Sequence, residues 1–131
     1  MELNRFEQEF NKVWNKADFN QKKQILRKIN KLINRKESER QTIKAFFHAV
    51  KNGKVAAVKK IIQQIRNVNQ KDDILGNTAL THAVFINNSE MIRLLLQQGA
   101  NPYIQNNKGY NSIDAAKLIG NKEVIKLLTA N

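Results

Sequence analysis

The sequence of 131 residues contains no cysteine. Without thiols the chain can form neither a disulfide framework nor a thiolate metal site, and nothing points to an oxidising compartment. Long apolar runs are also missing, because no stretch approaches the roughly 20 apolar residues that a membrane-spanning helix needs. The first residues, Met1-Glu-Leu-Asn-Arg-Phe-Glu7, lack a basic leader followed by an apolar stretch, so we expect no secretory signal. These absences favour one soluble, intracellular-type domain.

Acidic residues are scarce: 11 Asp and Glu stand against 23 Lys and Arg, which gives a net charge of +12. The imbalance is concentrated in one half of the chain. Residues 1–66 hold 17 basic and 6 acidic residues, whereas residues 67–131 hold 6 and 5. This asymmetry separates a basic N-terminal part from a nearly neutral C-terminal part.

What the sequence does contain is a repeat. A block that begins at Gly76 recurs 33 residues later at Gly109, and a third copy lies upstream, with His48 equivalent to His82. Further equivalent pairs are Thr78 and Asn111, Leu80 and Ile113, Ala83 and Ala116, Asn87 and Gly120, Ile92 and Ile125, and Leu95 and Leu128. A period near 33 with two short helical patterns per unit is typical of stacked helical repeats.

The middle copy reads Gly76-Asn-Thr-Ala-Leu-Thr-His-Ala83 and ends in Leu94-Leu-Leu-Gln-Gln-Gly-Ala-Asn101. It resembles the ankyrin repeat family, whose units carry G-x-T-P-L-H-x-A followed by LL-x-x-G-A-D. The resemblance covers residues 39–131 and implies a protein-binding scaffold with no chemistry of its own. The departures from the family pattern are Ala79 and Ser112 for proline, Thr81 and Asp114 for histidine, and Asn111 for threonine. His82 stands one place beyond the family's histidine, so we do not assign it that residue's hydrogen-bonding role.

The resemblance and the periodicity predict an all-α fold: an ankyrin-type helical-repeat solenoid of three helix-turn-helix repeats, preceded by an α-hairpin. The predicted repeats are 39–70, 71–104 and 105–131, and residues 1–38 form the hairpin that caps the stack. Within the repeats, the predicted helices cover residues 40–50, 55–65, 78–86, 89–97, 111–119 and 121–129.

The hairpin is predicted from two apolar stripes at helical spacing. They consist of Leu3, Phe6, Phe10, Val13 and Trp14 in residues 2–16, and of Ile25, Leu26, Ile29, Leu32 and Ile33 in residues 20–36. We expect Asp18 or Asn20 to cap the second helix and Ser38 to cap the next one. We expect the stripes to be buried against the first repeat, with a coiled-coil dimer seam as the alternative.

The residues that could carry chemistry have simpler local explanations. His48 and His82 occupy equivalent repeat positions, with no carboxylate or thiol at ligand spacing beside them, so we expect no metal site. Asp73 fits the family's turn-stabilising position, and Asp114 fits a helix start. The serines follow no nucleophile-elbow pattern, and the glycines do not form a phosphate loop. We therefore expect no enzyme activity, no catalytic residue and no cofactor.

The concave side offers the stronger signal. In the ankyrin family, the finger tips and the exposed ends of the inner helices face the groove. The corresponding positions here are Ile74, Leu75, Asn77, Phe85, Ile86, Asn107, Lys108, Tyr110, Leu118 and Ile119. Seven of the ten are apolar or aromatic, which is typical of a contact surface. We expect a partner to bury an apolar helix or loop there, with Lys51 and Asn52 as a basic rim. The alternative is that the N-terminal hairpin, or a shifted repeat register, buries these residues.

A basic surface is the second signal. Lys23, Arg27 and Lys31 lie opposite the apolar face of residues 20–36, flanked by Lys28 and Arg35. Contact with an acidic protein, or plain solvation, is the favoured interpretation. Binding to nucleic acid or to an anionic membrane surface is the alternative.

These observations predict a non-catalytic scaffold or adaptor that binds a protein partner, acidic in character, as a monomer or weak homodimer. The alternative function is nucleic-acid or anionic-surface binding through residues 20–36. Abundant lysine, asparagine and isoleucine suggest an AT-rich genome, as in many intracellular bacteria. A bacterial effector or effector regulator is therefore expected, located in the cytoplasm, or in the host cytosol if it is secreted.

Overall fold

The computed structural model describes residues 4–130. Its helices, in chain order, are α1 (Arg5–Lys16), α2 (Phe19–Lys51), α3 (Val55–Ile61), α4 (Ala79–Phe85), α5 (Ser89–Gln97), α6 (Ser112–Ile119) and α7 (Lys122–Thr129). A 3₁₀ turn, Ile62–Gln64, extends α3. Residues 4–130 contain no strand, and the isolated bridge between Lys71 and Thr78 is the only β-type pairing in this part of the backbone. The predicted all-α fold is confirmed.

The chain divides into two compact units, residues 1–40 and residues 41–131. The repeats lie in the second unit, which we call the repeat unit. Repeat one consists of the C-terminal part of α2 with α3, repeat two of α4 with α5, and repeat three of α6 with α7. Neighbouring repeats pack through α3 against α5, α4 against α6, and α5 against α7.

The helices of repeats two and three begin at side chains that accept hydrogen bonds from the backbone. Thr78 caps α4, Asn88 caps α5, Asn111 caps α6 and Asn121 caps α7. Each of these caps satisfies amide groups that the first helical turn leaves without a partner. Helices of only 7–9 residues are marginal in isolation, so stacking on the neighbouring repeats has to stabilise them.

The turn between the two helices of each repeat adopts a left-handed conformation at equivalent positions. The φ angles are 67° at Gly53, 56° at Asn87 and 79° at Gly120. Glycine adopts this region without steric cost, and asparagine is the residue that most often substitutes for it. The register predicted from the sequence for these turns is therefore confirmed.

One apolar core runs through the repeat unit. It is built from both helices of each repeat, and its fully buried large side chains are Phe46, Val50, Val58, Leu80, Val84, Met91, Ile92, Leu95 and Val124. Ala83 and Ala116, which occupy equivalent positions in repeats two and three, are completely buried, and such small side chains let paired helices approach closely. The core leaves the C-terminal ends of α4 and α6 exposed, which matters for the site described below.

The predicted break at residues 37–40 is wrong, because α2 continues from Phe19 to Lys51. Ser38 therefore lies inside a helix and not at its cap. The stretch contains no Gly or Pro, and Arg35 pairs with Glu39 one turn later at 3.3 Å, an arrangement that stabilises a helix. The predicted cap of the second helix at Asp18 is confirmed. The amide of Gln21 donates a 2.8 Å hydrogen bond to Oδ1 of Asp18, and the amide of Asp18 donates a 2.9 Å bond to Oε1 of Gln21.

The expectation that the N-terminal apolar stripes are buried is also wrong. No residue of α1 is buried, and the buried residues of α2 are Phe46, Phe47, Ala49 and Val50, all beyond residue 40. Leu3 lies outside the described residues. The capping role of residues 1–38, the 38/39 boundary and the repeat limits stay predictions. Over residues 4–130, no helix is both long enough and apolar enough to cross a membrane.

Candidate partner-binding groove

The loop before α4 is held by the carboxylate of Asp72. One oxygen, Oδ1, accepts hydrogen bonds of 3.0 Å from the backbone amides of Ile74, Leu75 and Gly76. The other oxygen, Oδ2, lies 2.6 Å from Nε2 of His82 in α4. We call this loop, residues 71–78, the finger tip of repeat two. Its two apolar residues, Ile74 and Leu75, are exposed.

The surroundings of Asp72 favour its charged form. Burial acts to raise the pKa of this carboxyl, but the hydrogen bonds from His82 and from the three backbone amides outweigh it and hold the pKa below its ordinary value. Asp72 is therefore an ionised acceptor at neutral pH, and it fixes the conformation in which Ile74 and Leu75 face solvent.

This arrangement corrects two interpretations of the sequence. The turn-stabilising residue is Asp72 and not Asp73, and His82, left without a role, hydrogen-bonds this carboxylate. In repeat three the equivalent acceptor is Asn106, which stands three residues before Gly109 and accepts the amides of Lys108 and Tyr110. Asp72 stands four residues before Gly76, so the tip of repeat two is one residue longer than the tip of repeat three. Aligning the two repeats on Gly76 and Gly109 does not reveal this extra residue.

The finger tips of repeats two and three are joined directly. The amide of Asn107 donates a 2.9 Å hydrogen bond to the carbonyl oxygen of Leu75, and Nδ2 of Asn106 donates a 2.8 Å bond to Oδ1 of Asn77. Asn77 is only 5% exposed. The prediction that Asn77 faces a partner is therefore wrong, since its side chain connects two repeats. Lys108 and Asn107 are exposed, as predicted.

The ends of the inner helices form the second part of the site. Phe85 and Ile86 end α4, and Leu118 and Ile119 occupy the equivalent positions at the end of α6, which packs beside α4. Between 38% and 80% of each of these side chains is exposed. A Cβ atom at Gly53 would lie 3.8 Å from Cδ1 of Ile86, which places Ile86 beside the turn of repeat one.

All seven apolar candidates are therefore exposed in the structure. They are Ile74, Leu75, Phe85, Ile86, Tyr110, Leu118 and Ile119, and together with Lys108 we call them the candidate groove. Lys51 and Asn52, which correspond to Phe85 and Ile86, are also exposed. The exposed residues thus form two rows: the finger tips before the inner helices, and the C-terminal ends of those helices.

The model of the family described as "Ankyrin repeats (3 copies)" matches residues 25–131. The chain belongs to the ankyrin repeat family. Ankyrin repeats generally mediate protein–protein interaction, and the family is typically non-catalytic.

Among individual proteins, the chain is 29% identical over 84 residues to rat ankyrin repeat and SAM domain-containing protein 6, a match that covers 63% of this chain and 10% of the relative. It is 27% identical over 91 residues to human Notch-regulated ankyrin repeat-containing protein, covering 67% and 80%. It is 38% identical over 63 residues to the Drosophila melanogaster protein benign gonial cell neoplasm, covering 48% and 5%. The chain spans about a tenth of the length of the first of these relatives.

Two departures from the ankyrin pattern compensate each other. Thr81 stands where the pattern has histidine, and Ser112 stands where it has proline. Their hydroxyl oxygens lie 2.8 Å apart between repeats two and three, and both residues are buried. Thr78 adds a hydroxyl 3.3 Å from that of Thr81. Each buried hydroxyl therefore has a partner, and the two inner helices are connected by a hydrogen bond within the core.

The predicted basic surface is solvent-accessible. Lys23, Arg27, Lys28, Lys31 and Arg35 are all exposed, and Arg35 is paired with Glu39. These residues belong to the unit formed by residues 1–40, so the structure places them on a different unit from the candidate groove.

The surroundings of His82 show what this histidine binds. Within the described range, 4–130, no group of three His, Cys, Asp or Glu residues could hold a metal ion. The expectation that no carboxylate lies beside His82 is nevertheless wrong, since Asp72 contacts its imidazole. The ring also meets Phe47 edge to face, with centroids 5.9 Å apart. The imidazole of His82 is therefore held by a hydrogen bond to Asp72 and by an aromatic contact with Phe47.

Proposed function

We propose that the repeat unit is a non-catalytic scaffold or adaptor that binds a protein partner through the candidate groove. The observation that carries the proposal is the exposure of Phe85, Ile86, Leu118 and Ile119 at equivalent positions in adjacent repeats. The buried residues of α4 and α6 lie earlier in each helix, so these four exposed side chains are not part of the apolar core. Soluble proteins seldom expose a contiguous apolar patch unless it forms a contact surface.

The charge around the groove supports an acidic partner. Lys51 occupies the position of Phe85 in repeat one, and Lys108 lies on the finger tip of repeat three; both are exposed. From residue 40 to residue 71 the sequence contains eight basic residues and no acidic one. A segment with apolar anchors and acidic flanks would fit this surface, and its charge would accelerate association more than it would tighten the complex.

The site is organised before a partner arrives. Asp72 holds the finger tip of repeat two, the contacts to Asn106 and Asn107 join it to the next tip, and Thr81 with Ser112 connects α4 to α6. A preformed surface loses little conformational entropy on binding. We therefore expect partner recognition with little rearrangement of the repeats.

The test is capture of a partner by the full chain as bait, with the wild type beside the double variant Phe85→Ser/Ile86→Ser. Tyr103→Ser is the matched control, since Tyr103 is an exposed aromatic residue of the repeat unit outside the candidate groove. We expect the double variant to lose at least about tenfold in captured partner, because groove anchors usually dominate binding. The control should retain capture.

Thermal unfolding of the same variants separates binding from folding. Exposed substitutions change stability by about 0.5 kcal/mol or less. A marked loss of stability in Phe85→Ser/Ile86→Ser would show that these residues belong to the core. Undiminished capture would show that the partner binds elsewhere. Either result would contradict the proposal.

The composition supports a proposal on source and location. The richness in lysine, asparagine and isoleucine is consistent with a bacterial effector or effector regulator that acts in the cytoplasm, or in the host cytosol if it is secreted. A translocation reporter fused to the chain tests this proposal, and a signal confined to the producing cell would contradict transfer to a host.

A further inference from the structure

The unit formed by residues 1–40 has no core in its described part. None of residues 4–40 is buried, and apolar side chains of both helices are exposed, with Phe6 at 78% and Phe19 at 80%. An open cavity of about 430 Å³ lies near the connection of α1 to α2, and Val13, Ile25 and Lys28 are among its lining residues. The apolar residues of the described part of this unit therefore do not form a buried core.

Three apolar residues of α2 lie on a stripe that begins and ends with lysine. Lys22, Leu26, Ile29, Ile33 and Lys36 follow one another at alternating spacings of four and three residues, which places them on one stripe of a helix. Leu26 and Ile33 are 48% and 57% exposed. From residue 19 to residue 36 the helix carries seven basic residues and no acidic one.

This stripe is poorly suited to pairing with a second copy of itself. A parallel symmetric pair would place Lys22 against Lys22 and Lys36 against Lys36. An antiparallel pair centred on Ile29 would place Lys22 against Lys36. Both arrangements bring like charges together at the ends of a dry seam, where unpaired ammonium groups are costly.

Binding to nucleic acid would explain the basic face of α2 but not the exposed apolar side chains. It would neutralise the basic face of α2, because phosphate contacts require only positive charge. It would leave Phe6, Phe19, Leu26 and Ile33 in water. An anionic lipid surface accounts for both features, since it offers an apolar interior beneath a layer of negative headgroups.

We propose that the apolar stripes of α1 and α2 dock on an anionic lipid surface. Leu26, Ile29 and Ile33 enter the acyl boundary, and Lys36 extends its ammonium group to the headgroups. Lys22, whose Nζ lies 5.2 Å from the centroid of the Trp14 ring, meets the headgroups beside that indole. Helix α1 contributes Phe6, Phe10 and Val13, which lie one helical turn apart. Trp14, which stacks on Phe10 with centroids 5.8 Å apart, is an aromatic side chain of the kind that favours the interface.

The sequence supplies its own reporter for the test. Trp14 is the only tryptophan in the chain, so its emission reports on this unit alone. The full chain is mixed with vesicles of neutral phosphatidylcholine, or with vesicles that also contain about 30 mol% phosphatidylserine. We expect a blue shift of the emission and co-flotation with the anionic vesicles, at least about tenfold stronger than with neutral ones and weaker at high salt.

Two pairs of variants separate insertion from charge. Leu26→Asn/Ile33→Asn removes apolar contacts, and its control, Tyr103→Asn, removes an exposed aromatic residue of the repeat unit outside the candidate groove. Lys22→Gln/Lys36→Gln removes two charges, and its control, Lys122→Gln/Lys126→Gln, removes two exposed charges of α7. We expect both N-terminal variants to lose about tenfold or more in vesicle binding. The controls should stay within about twofold of the wild type.

Several outcomes would overturn the proposal. Equal or absent binding to the two kinds of vesicle would do so, as would anionic-vesicle binding that survives Leu26→Asn/Ile33→Asn. A lipid-free dimer in sedimentation that this variant abolishes would assign the stripe to a second copy of the chain. Tight binding of duplex DNA or RNA that Lys22→Gln/Lys36→Gln weakens, without any vesicle binding, would assign the basic face to nucleic acid. Circular dichroism of each variant checks that the helices remain folded, and the lysine pair tests the proposal even if the asparagine pair unfolds.

Discussion

His82 and Asp72 connect an inner helix to the loop that precedes it. Nε2 of His82 lies 2.6 Å from Oδ2 of Asp72, and the other carboxylate oxygen accepts three backbone amides of the finger tip. The ring of His82 meets Phe47 of repeat one edge to face. One chain of contacts thus runs from repeat one, through α4, to the tip that exposes Ile74 and Leu75. The shape of the candidate groove depends on this carboxylate.

The first prediction compares two adjacent aspartates. Asp72→Ala should lower the free energy of unfolding by about 2–3 kcal/mol, because three amides and an imidazole lose a charged acceptor. Asp73→Ala, one residue away and exposed, should change it by about 0.5 kcal/mol or less. Urea unfolding followed by circular dichroism measures both. Similar losses in the two variants would show that Asp73 shares the role.

The second prediction concerns pH. The pKa of Asp72 is lower in the folded chain than its ordinary value, so the folded state binds this proton less tightly than the unfolded state. The stability from Asp72 is therefore fully present above the ordinary carboxyl pKa of about 4, and it is lost as the pH falls through the folded pKa.

Unfolding free energies of the wild type and Asp72→Ala, measured across pH, check this sign. Their difference should still be present at about pH 5 and should shrink below about pH 4. A difference that shrinks above about pH 5, or that persists unchanged into strong acid, would assign the stabilisation to another group.

The features that the sequence predicted correctly depend on local chemistry. The helix predicted to start at Thr78 begins directly after it, the equivalent residues Asn87 and Gly120 take the same left-handed turn, and Asp114 lies at the start of α6, where it completes the cap. Each of these features depends on residues within four positions, and each recurs at the repeat period. The repeat period therefore predicts their register directly. The exposed residues of the candidate groove could be predicted from the same period, whereas Asn77, predicted to lie beside them, is buried.

The features that the sequence missed depend on partners far along the chain or on packing. Asn77 is buried because Asn106, 29 residues later, bonds to it. The role of Asp72 was hidden because the extra residue of its tip does not change the 33-residue spacing of Gly76 and Gly109. The exposure of Phe6 and Leu26 could not be predicted, because amphipathic spacing shows that a helix has an apolar face and not what covers it.

The third prediction concerns Gly76. Its φ angle is 73°, and a Cβ atom there would collide with the side chain of Asn107 in the next finger tip. Gly76→Ala should therefore cost about 2 kcal/mol or more in unfolding free energy, combining left-handed strain with a clash. Gly109→Ala is the control: its φ is 84°, nothing lies within 4 Å of the added carbon, and only the strain of about 1–2 kcal/mol should remain.

The contribution of the clash can be isolated. In an Asn107→Ala background, the cost of Gly76→Ala should fall, because the colliding side chain is gone. Part of its excess over Gly109→Ala should remain, because the backbone nitrogen of residue 107 still lies 3.3 Å from the added carbon. An undiminished cost in that background would mean that the backbone conformation alone makes Gly76 necessary.

The fourth prediction is a double-mutant cycle across the boundary between repeats two and three. Thr81→Val and Ser112→Ala each leave a buried hydroxyl without its partner across that boundary, so each should cost about 1–3 kcal/mol. The double variant removes both hydroxyls and should cost less than the two single losses combined, with a coupling energy of about 0.5–2 kcal/mol. Thr129→Val, at an exposed threonine, should have an effect of about 0.5 kcal/mol or less.

The cycle tests more than one hydrogen bond. Thr81 and Ser112 replace the histidine and the proline of the ankyrin pattern, and a positive coupling would show that the two departures function as a pair. In stacked repeats, stability depends on the interfaces between neighbours as well as on each unit. We therefore expect the single variants to broaden the unfolding transition as repeats two and three lose cooperativity. Strict additivity with an unchanged transition would show that the pair of hydroxyls contributes nothing to the interface between these repeats.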